Sequence, residues 1–184
     1  SDFKIASHTN TITGAYTNQR FSLFSQPTIP AAAGLVVDTA ATLAIQNAPA
    51  KAASATIGNS YALWVQGGRS RFDGFVAFGP ATAVTIVAGR AAVTGSYHRI
   101  DTEAAAASDD LDYIDASYGG DGTITGNIIV IRAEDSARTV VVKNGAGNLR
   151  LAGSDFSLNN VQDTIVLIFD GTQWLELCRS DNGA

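Results

Sequence analysis

The residues best suited to bind a cation are aspartates in the middle of the chain. They are Asp109, Asp110, Asp112, Asp115 and Asp121. Calcium takes roughly six to eight oxygen ligands, and carboxylates close together in sequence can supply several of them. The spacing lacks the alternating acids and the distal glutamate of an EF-hand loop. A solvated acidic loop is therefore the favoured interpretation, and we expect neither a metal nor another cofactor.

Ser96, His98 and Asp101 have the residue types of a catalytic triad. Closeness in sequence means little here, because the members of a triad meet in space, and no Gly-x-Ser-x-Gly elbow is present. The chain has 2 histidines, which leaves few candidates for a general base. A glycosidase could use two of the aspartates, but sequence spacing cannot define the distance between their carboxylates. We expect a protein that is not an enzyme.

Trp64, Arg71 and Trp174 are the candidate residues for contact with a glycan or with a neighbouring subunit. An exposed aromatic ring can lie against the apolar face of a sugar, with acids and amides alongside. The alternative is that each tryptophan packs on its own hairpin or on another copy of the chain. Packing is the favoured interpretation, because both tryptophans lie inside predicted strands rather than in exposed loops.

The central stretch, residues 59–74, is predicted to form a β-hairpin that positions Trp64 and Arg71. Gly67 and Gly68 suit the positive φ angles of a two-residue turn. Trp64 would then face Arg71, whose guanidinium could lie over the indole. The opposite, apolar face of the hairpin would consist of Tyr61, Leu63, Val65 and Phe72.

Composition predicts an all-β protein. The chain has 184 residues with 18 glycines, and only 16% of its residues are charged. Short strands and tight turns are typical of such a composition. The net charge of −5 argues against nucleic-acid binding, which needs clustered lysine and arginine. No apolar run approaches the roughly 18 residues of a membrane span, so we expect no membrane insertion.

The C-terminal part has the clearest strand pattern. Residues 128–131 form a continuous apolar run, which is typical of a strand buried on both faces. Hairpins are predicted for residues 139–143 with 149–151, and for residues 164–169 with 174–178. This spacing favours a compact antiparallel β-sandwich or jelly-roll-like module. Cys178 is the only cysteine, so it forms no intrachain disulfide, and it reads as a small strand residue.

Several of these segments resemble tail fibres and tailspikes of tailed bacteriophages. The resemblance begins with Ser-Tyr-Ala-Leu-Trp-Val at residues 60–65, followed by the glycine turn and Arg-Phe-Asp-Gly at 71–74. Similar segments continue along most of the chain, at residues 18–24, 43–57, 128–132, 138–143, 148–151 and 174–177. Tailspikes that cleave polysaccharide usually carry a long repeated β-helix, for which 184 residues leave no room.

The resemblance implies a homotrimer with two regions. Residues 1–95 would be a thin, interwoven fibre and oligomerisation region that contains the central hairpin, and residues 96–184 the compact module. The expected function is that of a non-enzymatic structural protein on the exterior of a virion fibre or spike, or of a related gene transfer agent, with a part in host attachment. Its partners would be copies of itself and adjoining virion proteins. A carbohydrate-binding receptor module that recognises host polysaccharide is the alternative, and a small glycan hydrolase or esterase the third hypothesis.

Overall fold

The computed structural model describes residues 39–45, 48, 60–116 and 125–183. The chain divides into two units, Ser1–Asn47 and Ala48–Ala184, and every strand of the described residues belongs to the second. In chain order the strands are β1 Thr82–Thr85, β2 Arg90–Val93, β3 Tyr97–Asp101, β4 Ser108–Leu111, β5 Tyr113–Ala116, β6 Ile128–Ala133, β7 Thr139–Val142, β8 Leu149–Arg150, β9 Phe156–Leu158, β10 Thr164–Phe169 and β11 Trp174–Ser180. A short 3₁₀ turn, Glu103–Ala105, joins β3 to β4. The prediction of an all-β protein is confirmed.

The strands form three sheets around a single core. The sheets have the orders β1-β3-β6-β10-β11-β8, β4-β7-β9 and β2-β5. From β3 the chain passes to β4 in the three-stranded sheet and to β5 in the two-stranded sheet. It then returns to the six-stranded sheet as β6, parallel to β3, and places β7 parallel to β4. The chain therefore winds as a short solenoid, in which each turn stacks on the one before.

The last strands close this stack in the opposite direction. β9 pairs antiparallel with β7, and β10 pairs antiparallel with both β6 and β11. Among the described strands, five pairs are parallel and three are antiparallel. The sequence predicted an antiparallel module throughout, and the parallel pairs differ from that prediction. Their connections run through the other sheets, because a parallel return needs a crossover and cannot use a tight hairpin.

In β2, β3, β6, β7 and β9 alternate side chains enter the core, as the two-residue period of a pleated strand requires. The fully buried members of the core come from all three sheets, so the sheets enclose one apolar interior. The largest of them are Trp174, Ile86, Ile100, Leu111, Ile114, Ile131, Leu149, Leu158, Ile165 and Leu167. Complete burial of one such side chain stabilises the fold by about 1.5–3 kcal/mol.

The corners of successive turns lie directly on one another. The Gly89 carbonyl, between β1 and β2, accepts hydrogen bonds from the backbone N–H groups of Asp112 (2.8 Å) and Tyr113 (3.1 Å). On the next turn, Gly147 lies so close to the Asp112 carbonyl that a Cβ at this position would be 2.2 Å from the oxygen. Gly147 also has a φ of +47°. The stack therefore has no space for a side chain at this corner.

Asn148 continues the two-stranded sheet with its side chain. Its amide oxygen accepts a hydrogen bond from the Ile114 N–H (3.0 Å), and its amide nitrogen donates to the Ile114 carbonyl (2.9 Å). The Asn148 carbonyl accepts a hydrogen bond from the Trp174 N–H at 2.7 Å. One buried side chain thus replaces a strand along β5 and joins that sheet to the start of β11.

The predicted central hairpin is not present in the single chain. Residues 60–81 contain no strand, although Gly68 has the positive φ, +80°, that the turn prediction requires. An isolated hairpin is marginally stable in water unless one face is covered. The apolar side chains of this stretch are exposed, so none of the residues that the structure describes covers that face.

The two predicted C-terminal hairpins have different outcomes. The pair β10 and β11 is confirmed, with the Asp170 N–H bonded to the Gln173 carbonyl across the turn. The other prediction is wrong, because β7 pairs with β4 and β9 whereas β8 pairs with β11. The loop between β7 and β8 crosses from one sheet to another, and the turn residues mark a corner of the stack.

The predicted domain boundary at residue 95 falls between β2 and β3. β1 and β2 precede it, and they pair with β3 and β5, which follow it. The division into residues 1–95 and 96–184 stays a prediction, as do the earlier segments at residues 1–38, which lie outside the described residues.

The corner at Gly147 leads to the first prediction. Gly147→Ala should destabilise the module by about 3 kcal/mol or more, because its Cβ would overlap a backbone carbonyl that can move only with the stack. Gly145→Ala is the matched control in the same loop. Gly145 also has a positive φ, but an added Cβ would contact only the flexible end of the Arg150 side chain. We therefore expect this variant to lose about 1 kcal/mol of folding free energy. Urea unfolding measures both, and equal losses would contradict the close approach.

Candidate functional site

The three residues singled out from the sequence lie in two different environments. Trp64 and Arg71 are in the exposed stretch before β1, where 67% of Trp64 is accessible. Trp174 begins β11 and is fully buried in the core. The three side chains therefore do not form one site.

The aromatic segment, residues 60–78, is the most apolar exposed part of the described chain. Its exposed apolar members are Tyr61, Leu63, Trp64, Val65, Phe72, Phe75, Val76 and Phe78. The rings of Tyr61 and Trp64 contact each other, with centroids 5.7 Å apart and an interplanar angle of 33°. Contiguous exposed apolar residues of this kind mark surfaces that bind a partner.

Arg71 contacts Asp73 rather than the indole of Trp64. Its Nε donates to a carboxylate oxygen of Asp73 at 2.5 Å, and both side chains are mostly exposed. A solvent-exposed pair of this kind contributes between about 0 and 1 kcal/mol. The predicted contact between Arg71 and Trp64 is absent among the described residues because the hairpin that would align them does not form in a single chain.

Trp174 is a core residue, with its ring against Phe169 at a centroid distance of 5.3 Å. Its indole N–H is buried without a hydrogen-bond acceptor. Such an unpaired donor costs about 1–3 kcal/mol, which the burial of a large aromatic ring offsets. A fully buried indole presents no face to a sugar, so Trp174 is not a glycan contact in this fold. The alternative weighed from the sequence was packing on its own hairpin or on another copy of the chain, and Phe169 is the residue opposite Trp174 in the hairpin of β10 and β11.

A second apolar surface lies on the outward side of the six-stranded sheet. We call it the outer apolar face, and it consists of Ile128 and Val130 on β6, Val166 and Ile168 on β10, and Leu175 and Cys178 on β11. The strand register sets these side chains in two rows, Ile128–Ile168–Leu175 and Val130–Val166–Cys178. Ile128 and Cys178 are exposed and the other four are half-buried. The face carries no charged side chain.

A β-bulge shapes the edge of this face. The register between β10 and β11 shifts between Val166 and Leu167, which leaves Leu177 without a cross-strand partner. Leu177 is exposed. On the inner side, Arg179 bonds to Glu176 and lies over the ring of Phe156, with 5.0 Å between its Cζ and the ring centroid. Arg179 holds the pKa of Glu176 below its usual value.

Ion pairs border the other end of the same sheet. Arg99 bonds to Glu134 at 2.9 Å, and Arg138 bonds to Asp101 at 2.6 Å. The hydrogen bonds that Arg138 donates to the Asp101 carboxylate raise the pKa of Arg138. Arg99 and Arg138 are thus each neutralised by a carboxylate, whereas Arg132, the neighbour of Arg99 on β6, donates to the Tyr97 hydroxyl and to backbone carbonyls.

The acidic residues in the described ranges are held by cations of the protein and by backbone N–H groups. Asp115 accepts two bonds from Arg90, at 2.9 and 2.6 Å, and Asp109 accepts one from the Glu103 N–H at 2.8 Å. The guanidinium of Arg90 lies over the ring of Tyr113. Its hydrogen bonds to Asp115 raise the pKa of Arg90. No group of three or more His, Cys, Asp or Glu side chains in the described ranges could hold a metal ion. Asp121 lies outside those ranges.

His98 and Asp101 point to opposite sides of β3. His98 is buried, and its ring nitrogens contact the Thr82 hydroxyl (2.6 Å) and the backbone of Gly95 (3.0 and 3.1 Å). Asp101 binds Arg138 on the outward side. Strand alternation separates residues three apart, so these two side chains do not assemble a triad with Ser96.

The outer apolar face was not identified as a site from the sequence, although its signal is present. Residues 128–131 of β6 and 165–169 of β10 are apolar on both faces of the sheet. A strand with one face in water carries polar residues at every second position. The sequence indicated burial on both faces of residues 128–131, and the chain itself buries only one.

Comparison with known proteins adds no assignment. No protein-family model matches the sequence, and a search of the curated proteins finds no match. Within the described residues, no helix is long and apolar enough to span a membrane.

The second prediction concerns Trp174. Trp174→Ala should destabilise the module by about 3–5 kcal/mol, because it removes a fully buried aromatic side chain from the core. The matched control is Val87→Ala, at an exposed apolar position between β1 and β2, where we expect a loss below about 0.5 kcal/mol. Urea unfolding followed by circular dichroism gives both values. A small loss for Trp174→Ala would mean that the indole is not part of the core.

Proposed function

We propose that this chain is a non-enzymatic structural protein of a virion fibre or spike of a tailed bacteriophage, or of a related gene transfer agent. It assembles as a homotrimer on the exterior of the particle, contacts adjoining virion proteins and contributes to host attachment. The observation that supports the proposal is the aromatic segment, whose large apolar side chains are exposed and not covered by the described residues.

The apolar content of this segment supports self-association. Burying an aromatic or large aliphatic side chain is worth about 1.5–3 kcal/mol, so leaving many of them in water is unfavourable. A thin segment cannot fold back far enough to cover itself, but copies side by side can cover one another. Residues 1–95 would then form the interwoven region, in which neighbouring copies cover the apolar face of the predicted hairpin at residues 59–74. The trimeric state comes from the resemblance to tail fibres and tailspikes.

The fold of the module suits such an assembly. A solenoid grows by adding turns along its axis, and each turn keeps the same width. At the last described turn, β9 pairs antiparallel with β7 and β10 pairs antiparallel with β6, while β11 and the short edge strand β8 lie beyond β10. Such strands cover the ladder that a further turn would otherwise extend. We assign the role of an end module to this region, next to the thin region in the fibre. The compact antiparallel β-sandwich or jelly-roll-like module stays a prediction.

The experiment is the molar mass of the full chain in solution. We expect a trimer at micromolar concentration by light scattering. The double variant Trp64→Ser, Phe72→Ser should raise the dissociation concentration at least about tenfold, since each lost aromatic contact is worth more than about 1.4 kcal/mol. Val87→Ser removes an exposed apolar side chain outside the segment and should leave the trimer unchanged. A wild-type chain that is monomeric at tens of micromolar would overturn the proposal.

Trp64 also supports the alternative function, a carbohydrate-binding receptor module. It is exposed beside Tyr61, and two adjacent rings can stack against a sugar. If the segment is an interface, Trp64 is buried in the trimer, and the assembled chain should not bind host polysaccharide through it. Saturable binding on a glycan array that disappears in Trp64→Ala, while the mass stays trimeric, would make receptor binding the first function.

A further inference from the structure

We propose that the outer apolar face of the six-stranded sheet is a contact between copies of this chain, separate from the aromatic segment. The inference rests on the proposed homotrimer and assigns a particular surface to it. The partner that covers the face is a second copy of the same chain.

The strand pattern is the first argument. Residues 128–131 of β6 and 165–169 of β10 are apolar at inward and outward positions alike, whereas Arg132 and Thr164 are the polar outward residues that border them. Strands with this pattern are buried on both faces in folded proteins. One face of each strand meets the core, where Ile129, Ile131, Ile165 and Leu167 are buried. The outward residues of these strands are half-buried or exposed. The described residues therefore cover one face of the strands fully and the other only in part.

The area of the face is the second argument. Three strands about 4.8 Å apart, each contributing about four residues of 3.3 Å, give a footprint on the order of 200 Å². A stable interface needs about 800 Å² from each partner. The face is therefore too small to hold an unrelated protein by itself. It suits a neighbour that is already held by another contact, and copies joined through the aromatic segment are such neighbours.

Charge is the third argument. The chain has a net charge of −5, so two copies repel each other at long range. Copies should therefore meet where no charge accumulates. The outer apolar face carries none, and beside it Arg99 and Arg138 are neutralised by Glu134 and Asp101. Arg132, the next outward residue on β6, donates to the Tyr97 hydroxyl and to backbone carbonyls. A second copy can therefore cover the apolar residues without bringing acidic side chains together.

Cys178 provides a direct probe, because it is the only cysteine and lies on this face. Its thiol is exposed in the single chain. In the wild-type assembly we expect a maleimide to label Cys178 at least about tenfold more slowly than in a dissociated chain, because the neighbouring copy covers the thiol. The dissociated reference is the Trp64→Ser, Phe72→Ser variant, measured below its dissociation concentration.

A charge placed on the face is the second measurement. Val166→Lys puts a lysine at the centre of the face, where the monomer can tolerate it because the long side chain reaches water. We expect the variant to keep its β-sheet circular dichroism and to lose assembly, with a dissociation concentration raised more than about tenfold. Ser157→Lys is the matched control, since it puts the same charge at an exposed strand position of the three-stranded sheet.

The outcomes separate this inference from the proposed function. A wild-type monomer overturns both. A trimer in which Cys178 reacts as fast as in the dissociated chain keeps the proposed function but overturns the assignment of this face, which would then be open to another partner. Normal assembly of Val166→Lys overturns the assignment in the same way. If Val166→Lys fails to fold, the labelling of the wild-type chain decides.

Discussion

The spacing between stacked turns is the constraint on which the fold depends. Parallel strands of successive turns must lie about 4.8 Å apart, and the corners that connect them must keep the same spacing. At one corner this leaves room only for backbone, so Gly147 lies against the Asp112 carbonyl and Gly89 bonds to the next turn. Asn148 then uses its side-chain amide as the strand that the third turn lacks along β5. The core and both faces of the six-stranded sheet follow from this register.

The described part of the chain has two exposed apolar surfaces. A solenoid turn buries its inward side chains and leaves its outward ones for water or for a partner. On β6, β10 and β11 the outward residues are apolar, and before β1 the aromatic segment has no strand partner at all. Both surfaces lie in one chain of low charge density, which reduces the electrostatic cost of bringing copies together. Both surfaces are the basis on which we propose self-association.

Sequence reasoning succeeded where the structure depends on neighbouring residues. The hairpin of β10 and β11 could be predicted because the Asp170–Gln173 turn and both strands are contiguous. It failed for residues 139–151, because turn-forming residues look the same whether the chain reverses or crosses to another sheet. It also failed for residues 59–74 in the single chain. There the alternation is correct, but a hairpin needs a covered face, and that cover is a long-range property.

The sequence by itself determined the all-β class, the positions of most C-terminal strands and the apolar character of residues 128–131 on both faces. These follow from side-chain type and from the two-residue period of a strand. The tertiary structure alone decided that Trp174 is buried while Trp64 is exposed, and that His98 and Asp101 point apart. It also decided that the strands stack in parallel turns. The pairing of strands far apart in the chain depends on how distant segments fit around one core, and local patterns carry no information about which distant segment will be the neighbour.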